Sequence, residues 1–154
     1  MRITFSESYN LHEHEIKFVR GTIGIYFIYL ERLAIAYPFG RSRLIYIGMS
    51  ESTQNSIGNR LRGHLTGQSG NEGIRNYAAN HKVRFTSHSK DVLQSCGARD
   101  LYEMESFFLS SFLDYRGCYP ICNGQAGVER ADTVQRLIDA SVDWSFFDAE
   151  SVTA

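Results

Sequence analysis

Gly24-Ile25-Tyr26-Phe27-Ile28-Tyr29-Leu30 is the stretch from which the fold is read. Behind one glycine it runs through β-branched, aromatic and leucine side chains with no charge and no proline, the composition of a buried strand. Leu44-Ile45-Tyr46-Ile47-Gly48 repeats that character and ends on a glycine. Between the two, Tyr37-Pro38-Phe39-Gly40 supplies a turn signal, so the pair reads as a hairpin with a long connection.

Outward from the hairpin, a helix is expected over Ser56–Leu65, stopped at Gly67, and a second over Glu72–His81. A strand follows near Val83–Ser87. The strongest helical pattern runs from Asp100 to Tyr115 and stops at Gly117, and Pro120–Gly127 reads as a turn. Asp132 is positioned to cap a last helix through Phe147, with Val134, Leu137, Ile138 and Trp144 on its docking side. The fold class expected is α+β: a small, mainly antiparallel three-stranded sheet flanked by helices, with an extra C-terminal helix over residues 128–154. With no linker, repeat or low-complexity tract, residues 1–154 read as one domain.

At 154 residues, 43% apolar and with two prolines, the chain has the makings of a packed core. No stretch approaches the ~20 apolar residues of a membrane span, and Met1–Glu7 runs into charge without a signal peptide. The three cysteines, Cys96, Cys118 and Cys122, are an odd number, which points to the cytoplasm rather than to a disulfide framework. No second Cys/His pair accompanies Cys118 and Cys122, so buried thiols are expected there and not zinc. Net charge is −1, yet residues 41–84 carry seven Lys and Arg against two Glu. A phosphate-binding face and a merely solvated face both fit that concentration.

Helix geometry singles out Glu105. At roughly 100° per residue, Leu101, Met104, Phe108, Phe112 and Tyr115 form one apolar stripe, with Glu105 inside it and Glu103 on the opposite, wet side. An ionised carboxylate on a core-facing stripe needs a partner, either an arginine at the core's edge or a metal ion. On the Ser56–Leu65 helix, Arg60 and His64 are an i,i+4 pair flanking the apolar face of Ile57, Leu61 and Leu65, while Arg62 points away. Arg60 is either a snorkelling surface residue or a planar cation aimed where the helix meets the sheet, suited to a phosphate. His64 is a packing histidine or a site residue.

The tyrosines carry the same ambiguity. Tyr26 shares a face with Ile28 and Leu30, and Tyr46 with Leu44 and Gly48, where the missing side chain admits a close neighbour. Each is either core or functional. Asn123, before Gly124, is a turn residue or an amide holding backbone or phosphate.

Taken in order, Gly24-Ile25-Tyr26, Tyr46-Ile47-Gly48, the Arg60-Leu61-Arg62-Gly63-His64 string, Glu105-Ser106-Phe107-Phe108 and Asn123 resemble the GIY-YIG nuclease family. The resemblance covers Gly24 to Gly127, about two thirds of the chain. Nineteen residues separate Tyr26 from Tyr46, about twice the family's usual gap. Met49 stands where many members carry lysine, and a second family histidine has no clear match near Asn71. What the resemblance implies is a metal-dependent endonuclease hydrolysing DNA phosphodiester bonds. Tyr46 would act as general base with Tyr26 positioning it, and Arg60 would stabilise the transition state. Glu105 would be the single protein ligand of Mg²⁺ or Mn²⁺, with His64 and Asn123 completing the site. A phenol with pKa ~10 is a poor base at neutral pH, so nearby positive charge must activate Tyr46. DNA is the partner implied, with a further protein or DNA-binding subunit to select the target. The rival expectation is a catalytically degenerate DNA-binding or assembly module on the same fold. A third is a subunit that docks a partner through its acidic C-terminal helix.

Overall fold

Local signals place most of the elements. In the computed structural model, which describes residues 1–124 and 140–148, the chain forms β1 (Arg2–Ile3), β2 (Tyr9–Asn10), α1 (Glu13–Ile16), β3 (Gly24–Leu30), β4 (Ile35–Tyr37), β5 (Gly40–Ser42), β6 (Leu44–Ser50), α2 (Ile57–Thr66), α3 (Glu72–Asn80), β7 (Val83–Ser89), α4 (Lys90–Leu93), α5 (Leu101–Arg116) and β8 (Ser141–Val142). Ser56, Asn71 and Asp100 cap α2, α3 and α5 by accepting from the backbone N–H three residues on. Gly67 and Gly117 end α2 and α5 in the left-handed region, at φ 83° and 79°.

The architecture is α+β. Its main sheet has four antiparallel strands in the order β2-β7-β3-β6, not three. The added strand, β2, is two residues long, too short to carry a periodic signal. The long connection between the motif strands folds into a second small hairpin, β4–β5. Tyr37 pins it, donating to the Leu44 carbonyl at 2.7 Å and accepting from the Ile121 N–H at 3.0 Å.

β3 is the central strand and is buried along its whole length. On one face Ile25, Phe27 and Tyr29 pack with Phe108 and Phe112 of α5 and with Trp144 and Phe147. On the other, Tyr26, Ile28 and Leu30 pack beneath Ile57 and Leu61 of α2 and Ile74 of α3. The register opposes Tyr26 to Gly48 and Ile28 to Tyr46, then shifts so that Tyr29 opposes Leu44. That bulge puts Leu44 in the α5-side core and Ile45 on the α2 side. The expected pairing of Leu44 with Tyr46 on one face is therefore corrected.

The expected C-terminal helix is corrected over its described part, residues 140–147. Residues 132–139 lie outside the described residues, and 140–148 are not α-helical. β8 instead pairs in parallel with β1, and Trp144–Phe147 form a single 3₁₀ turn. The buried Arg43 guanidinium ties this segment to the strands, donating to the carbonyls of Phe146 (2.7 Å) and Asp148 (3.2 Å) and, after β3, to that of Glu31 (3.2 Å). Among the described residues no helix is long and apolar enough to cross a membrane. Cys118 is exposed and Cys122 half-buried, which corrects the expectation of two buried thiols there.

Candidate active site

The two motif glycines are required by contacts across the sheet. A Cβ on Gly24 would meet the backbone of His88 and lie 3.0 Å from Ser89 Cα, so β3 and β7 approach more closely there than a side chain permits. A Cβ on Gly48 would fall 2.5 Å from Tyr26 Oη and 2.8 Å from its Cε2. The Tyr26 ring thus lies over Gly48 on the neighbouring strand, filling the space that glycine leaves.

This arrangement aims Tyr26 at α2. Its hydroxyl is 2.9 Å from His64 Nε2, and Nδ1 of the same ring is 2.9 Å from Ser69 Oγ. Tyr26 is 1% exposed and His64 5%. Tyr46 is half-buried, with ring centroids 6.0 Å from Tyr26 and 5.1 Å from His64. Beside them opens a cleft of about 400 Å³ lined by Tyr46, Asn59, Arg60, His64, Ser69 and Asn71, among others. Arg60 is exposed on its wall, and its guanidinium makes no hydrogen bond or ion pair among the described residues, so its side-chain donors face the cleft free for an anion. Arg62, by contrast, is paired with Glu13 at 3.4 Å.

Glu105 comes from α5, which packs against edge strand β6. It is half-buried, and its negative charge is felt by both phenols. Glu103 differs from its expected wet position. Its side chain is 11% exposed and closes a 2.6 Å ion pair with Arg99, because α5 buries Ser106, Phe107, Leu109 and Ser110 as well as the apolar stripe. Met49 is buried in the α5-side core, so no side chain of that position enters the cleft.

Asn123 lies behind the site. Its Oδ1 accepts from the Ile47 N–H at 2.9 Å and its Nδ2 donates to the Ile47 carbonyl at 2.8 Å. With the Cys122 N–H donating to the Ile45 carbonyl at 2.8 Å, this segment satisfies the open edge of β6 and fixes the backbone on both sides of Tyr46.

The electrostatics divide the groups. Burial pushes the Tyr26 phenol well above its ordinary value, with Tyr46 adding to the rise and Arg60 opposing it. Burial and then Glu105 raise Tyr46, while hydrogen bonding from Tyr26 and the charge on Arg60 pull it down. Burial, helped by Arg60, lowers His64 to about 4. At neutral pH the imidazole is therefore uncharged and the chain's own groups leave Tyr46 a phenol.

Tyr26, Tyr46, Arg60 and His64 thus meet at one place, with Glu105 acting on the tyrosines from α5 and Asn123 bracing the strand. Sequence reasoning missed Ser69 and Asn71. Ser69 sits between Gly67 and Gly70 in a loop with no periodic signal, and the fold alone brings it to His64. Among the described residues no group of three His, Cys, Asp or Glu side chains gathers to hold a metal. No family model, curated protein or solved structure matches the chain.

Proposed function

We propose that the chain is a GIY-YIG-type endonuclease, hydrolysing DNA phosphodiester bonds with Mg²⁺ or Mn²⁺ as a single cytoplasmic domain. The observation that carries the reading is the convergence of two tyrosines from adjacent strands with Arg60 and His64 of α2 beside an open cleft. Those residue types came from a string spread over nearly forty positions, Tyr26 to His64.

The roles are those the resemblance implies, and the positions of the side chains support them. Arg60, its guanidinium without an ion pair among the described residues, receives the scissile phosphate at the cleft wall and neutralises the charge that grows on it. Tyr46, the more accessible phenol, orients the attacking water and takes its proton as the new P–O bond forms and the 3′-oxygen departs. Tyr26 and the neutral His64 hold Tyr46 in place from below. Glu105 would hold the cation, its half-buried carboxylate being an oxygen donor suited to a hard ion. Bound there, the ion supplies Lewis-acid stabilisation of charge at the leaving oxygen.

Supercoiled-plasmid cleavage with Mg²⁺ or Mn²⁺, run beside Glu105→Ala and Glu105→Gln, tests this. Expected are metal-dependent nicking by the wild type and a loss of at least about 100-fold in both variants, with melting temperature retained. Full-rate cleavage by Glu105→Gln would sink the mechanism. DNA binding without cleavage by any of the proteins would favour a catalytically silent DNA-binding module, a reading the raised Tyr46 phenol also supports.

A further inference from the structure

We infer that the loop 67–71 at the rim of the cleft carries a DNA backbone away from the site, and that Arg75 of α3 binds a phosphate about three nucleotides from the one Arg60 receives. The inference rests on the nuclease reading for what occupies the cleft, and extends it to how the substrate is held beyond the scissile bond.

Charge selects this face. Residues 52–71 run from the end of β6 through α2 to the rim without one Asp or Glu, in a chain that has 17 of them, and they carry Arg60 and Arg62. Among the described residues, every side of the cleft except Tyr46 comes from that stretch. Its exposed side chains are amides, hydroxyls and guanidinium groups, so nothing along it repels a phosphate. Arg75 adds a cation at the far end. It belongs to α3, but its side chain lies across the C-terminus of α2: a Cβ on Gly67 would be 3.5 Å from Arg75 Cδ and 3.8 Å from its Cζ. Arg75 is exposed, and its guanidinium makes no hydrogen bond or ion pair among the described residues.

Spacing and relief fit a nucleic-acid strand. From Arg60 to Gly67 the chain rises about 10 Å along α2, three steps of a DNA strand at about 3.4 Å each. The surface between is low: a Cβ on Gly63 would meet nothing nearer than Ser69 at 3.7 Å, and one on Gly70 nothing within 4 Å. A backbone can therefore lie close against the rim. The carbonyls that end α2 leave partial negative charge there, which opposes a phosphate unless a cation offsets it. Arg75 is placed to do so, and its planar guanidinium suits a phosphate oxygen pair.

Binding of the full chain to a short fluorescein-labelled DNA duplex in EDTA, followed by anisotropy across a salt series, tests the contact without cleavage. Wild type and Arg75→Lys should share one slope of log affinity against log salt. Arg75→Gln should bind more weakly with a slope smaller by about 0.9, so that its deficit narrows about threefold between about 50 and 200 mM salt. Lys90→Gln removes a cation from α4, whose Leu93 packs in the core on the opposite side of the sheet, and should keep the wild-type slope. An Arg75→Gln protein that melts lower but keeps that slope confines Arg75 to stabilising the end of α2 and overturns the inference. So does an equal fall in Lys90→Gln, or a wild type with no measurable affinity for the duplex. A protein that binds with the expected slopes and never nicks plasmid refutes the nuclease reading alone. One that nicks plasmid while Arg75→Gln keeps the wild-type slope refutes this inference alone.

Discussion

Replacing Gly48 by alanine tests the link between the two tripeptides. Gly48 is not among the glycines with positive φ, so alanine meets no backbone strain, and the stiffer residue gains about 0.5–1 kcal/mol through the unfolded chain. Against this stands a methyl group placed 2.5 Å from Tyr26 Oη. The Tyr26 ring cannot retreat: it is 1% exposed and packed beneath α2. Forcing it aside costs about 2–3 kcal/mol as overpacking, and stretching its bond to His64 about 1 kcal/mol more. The unfavourable side wins by about 2–3 kcal/mol, a fall of about 5–10 °C in melting temperature for a chain of this size. Urea or thermal unfolding followed through Trp144, the single tryptophan and 3% exposed, measures it. In a Tyr26→Leu background the same substitution should cost less than about 1 kcal/mol, so the double-mutant cycle carries the interaction. A Gly48→Ala protein melting within about 1 °C of wild type, or one strictly additive with Tyr26→Leu, refutes the reasoning.

Two further outcomes follow from the same geometry. Asn123→Ala removes both hydrogen bonds to Ile47; at an edge where water replaces part of the loss this should cost about 1–2 kcal/mol and speed amide exchange at Ile47 selectively. His64 makes stability fall in acid. Its folded pKa of about 4 lies below its ordinary value of 6.5, so the unfolded chain binds the extra proton between them. Stability should be full above about pH 6.5 and decline as pH falls toward about 4, by on the order of 2–3 kcal/mol. His88, also lowered by burial, acts in the same direction. Urea midpoints measured from pH 7 to 4 should show a shallower slope in His64→Gln, and an equal slope would contradict the assignment.

What the sequence made legible follows from how local each signal is. β3 was read at its full span and α2 and α5 to within a residue or two, because an uninterrupted apolar run, a capping side chain and a left-handed glycine act within one turn of chain. β2 and β8 were not legible: two residues become a strand only when a distant partner supplies the hydrogen bonds. The bulge at Ile45 was hidden for a related reason, since alternation along one strand does not show where its partner slips. The angular position of Glu103 misled because α5 is enclosed on most sides, and a wheel discriminates only when one side is wet. Of the site, helix geometry drew attention to Glu105, and the family resemblance named Tyr26, Tyr46, Arg60 and His64 beside it. The Ser69 contact was invisible because a loop folded back by a Gly63 hydrogen bond leaves no periodic trace.

The two tyrosines, similar in sequence context, are separated by depth alone. Tyr26 is sealed between the strands and α2, so losing its proton would strand a charge in the core, and burial holds it as a donor. Tyr46 lies one strand nearer the edge, half-buried beside the cleft, where the charge on Arg60 eases its ionisation. The largest fixed charge opposing that ionisation is Glu105. On the proposed nuclease reading, a bound cation would offset the Glu105 charge that raises Tyr46. Without a cation, the carboxylate's charge adds to the burial that already holds Tyr46 as a phenol. Glu105→Gln should accordingly make Tyr46 the stronger acid while abolishing cleavage. Those opposite effects of one substitution separate a carboxylate that serves catalysis from one that merely sits beside a phenol.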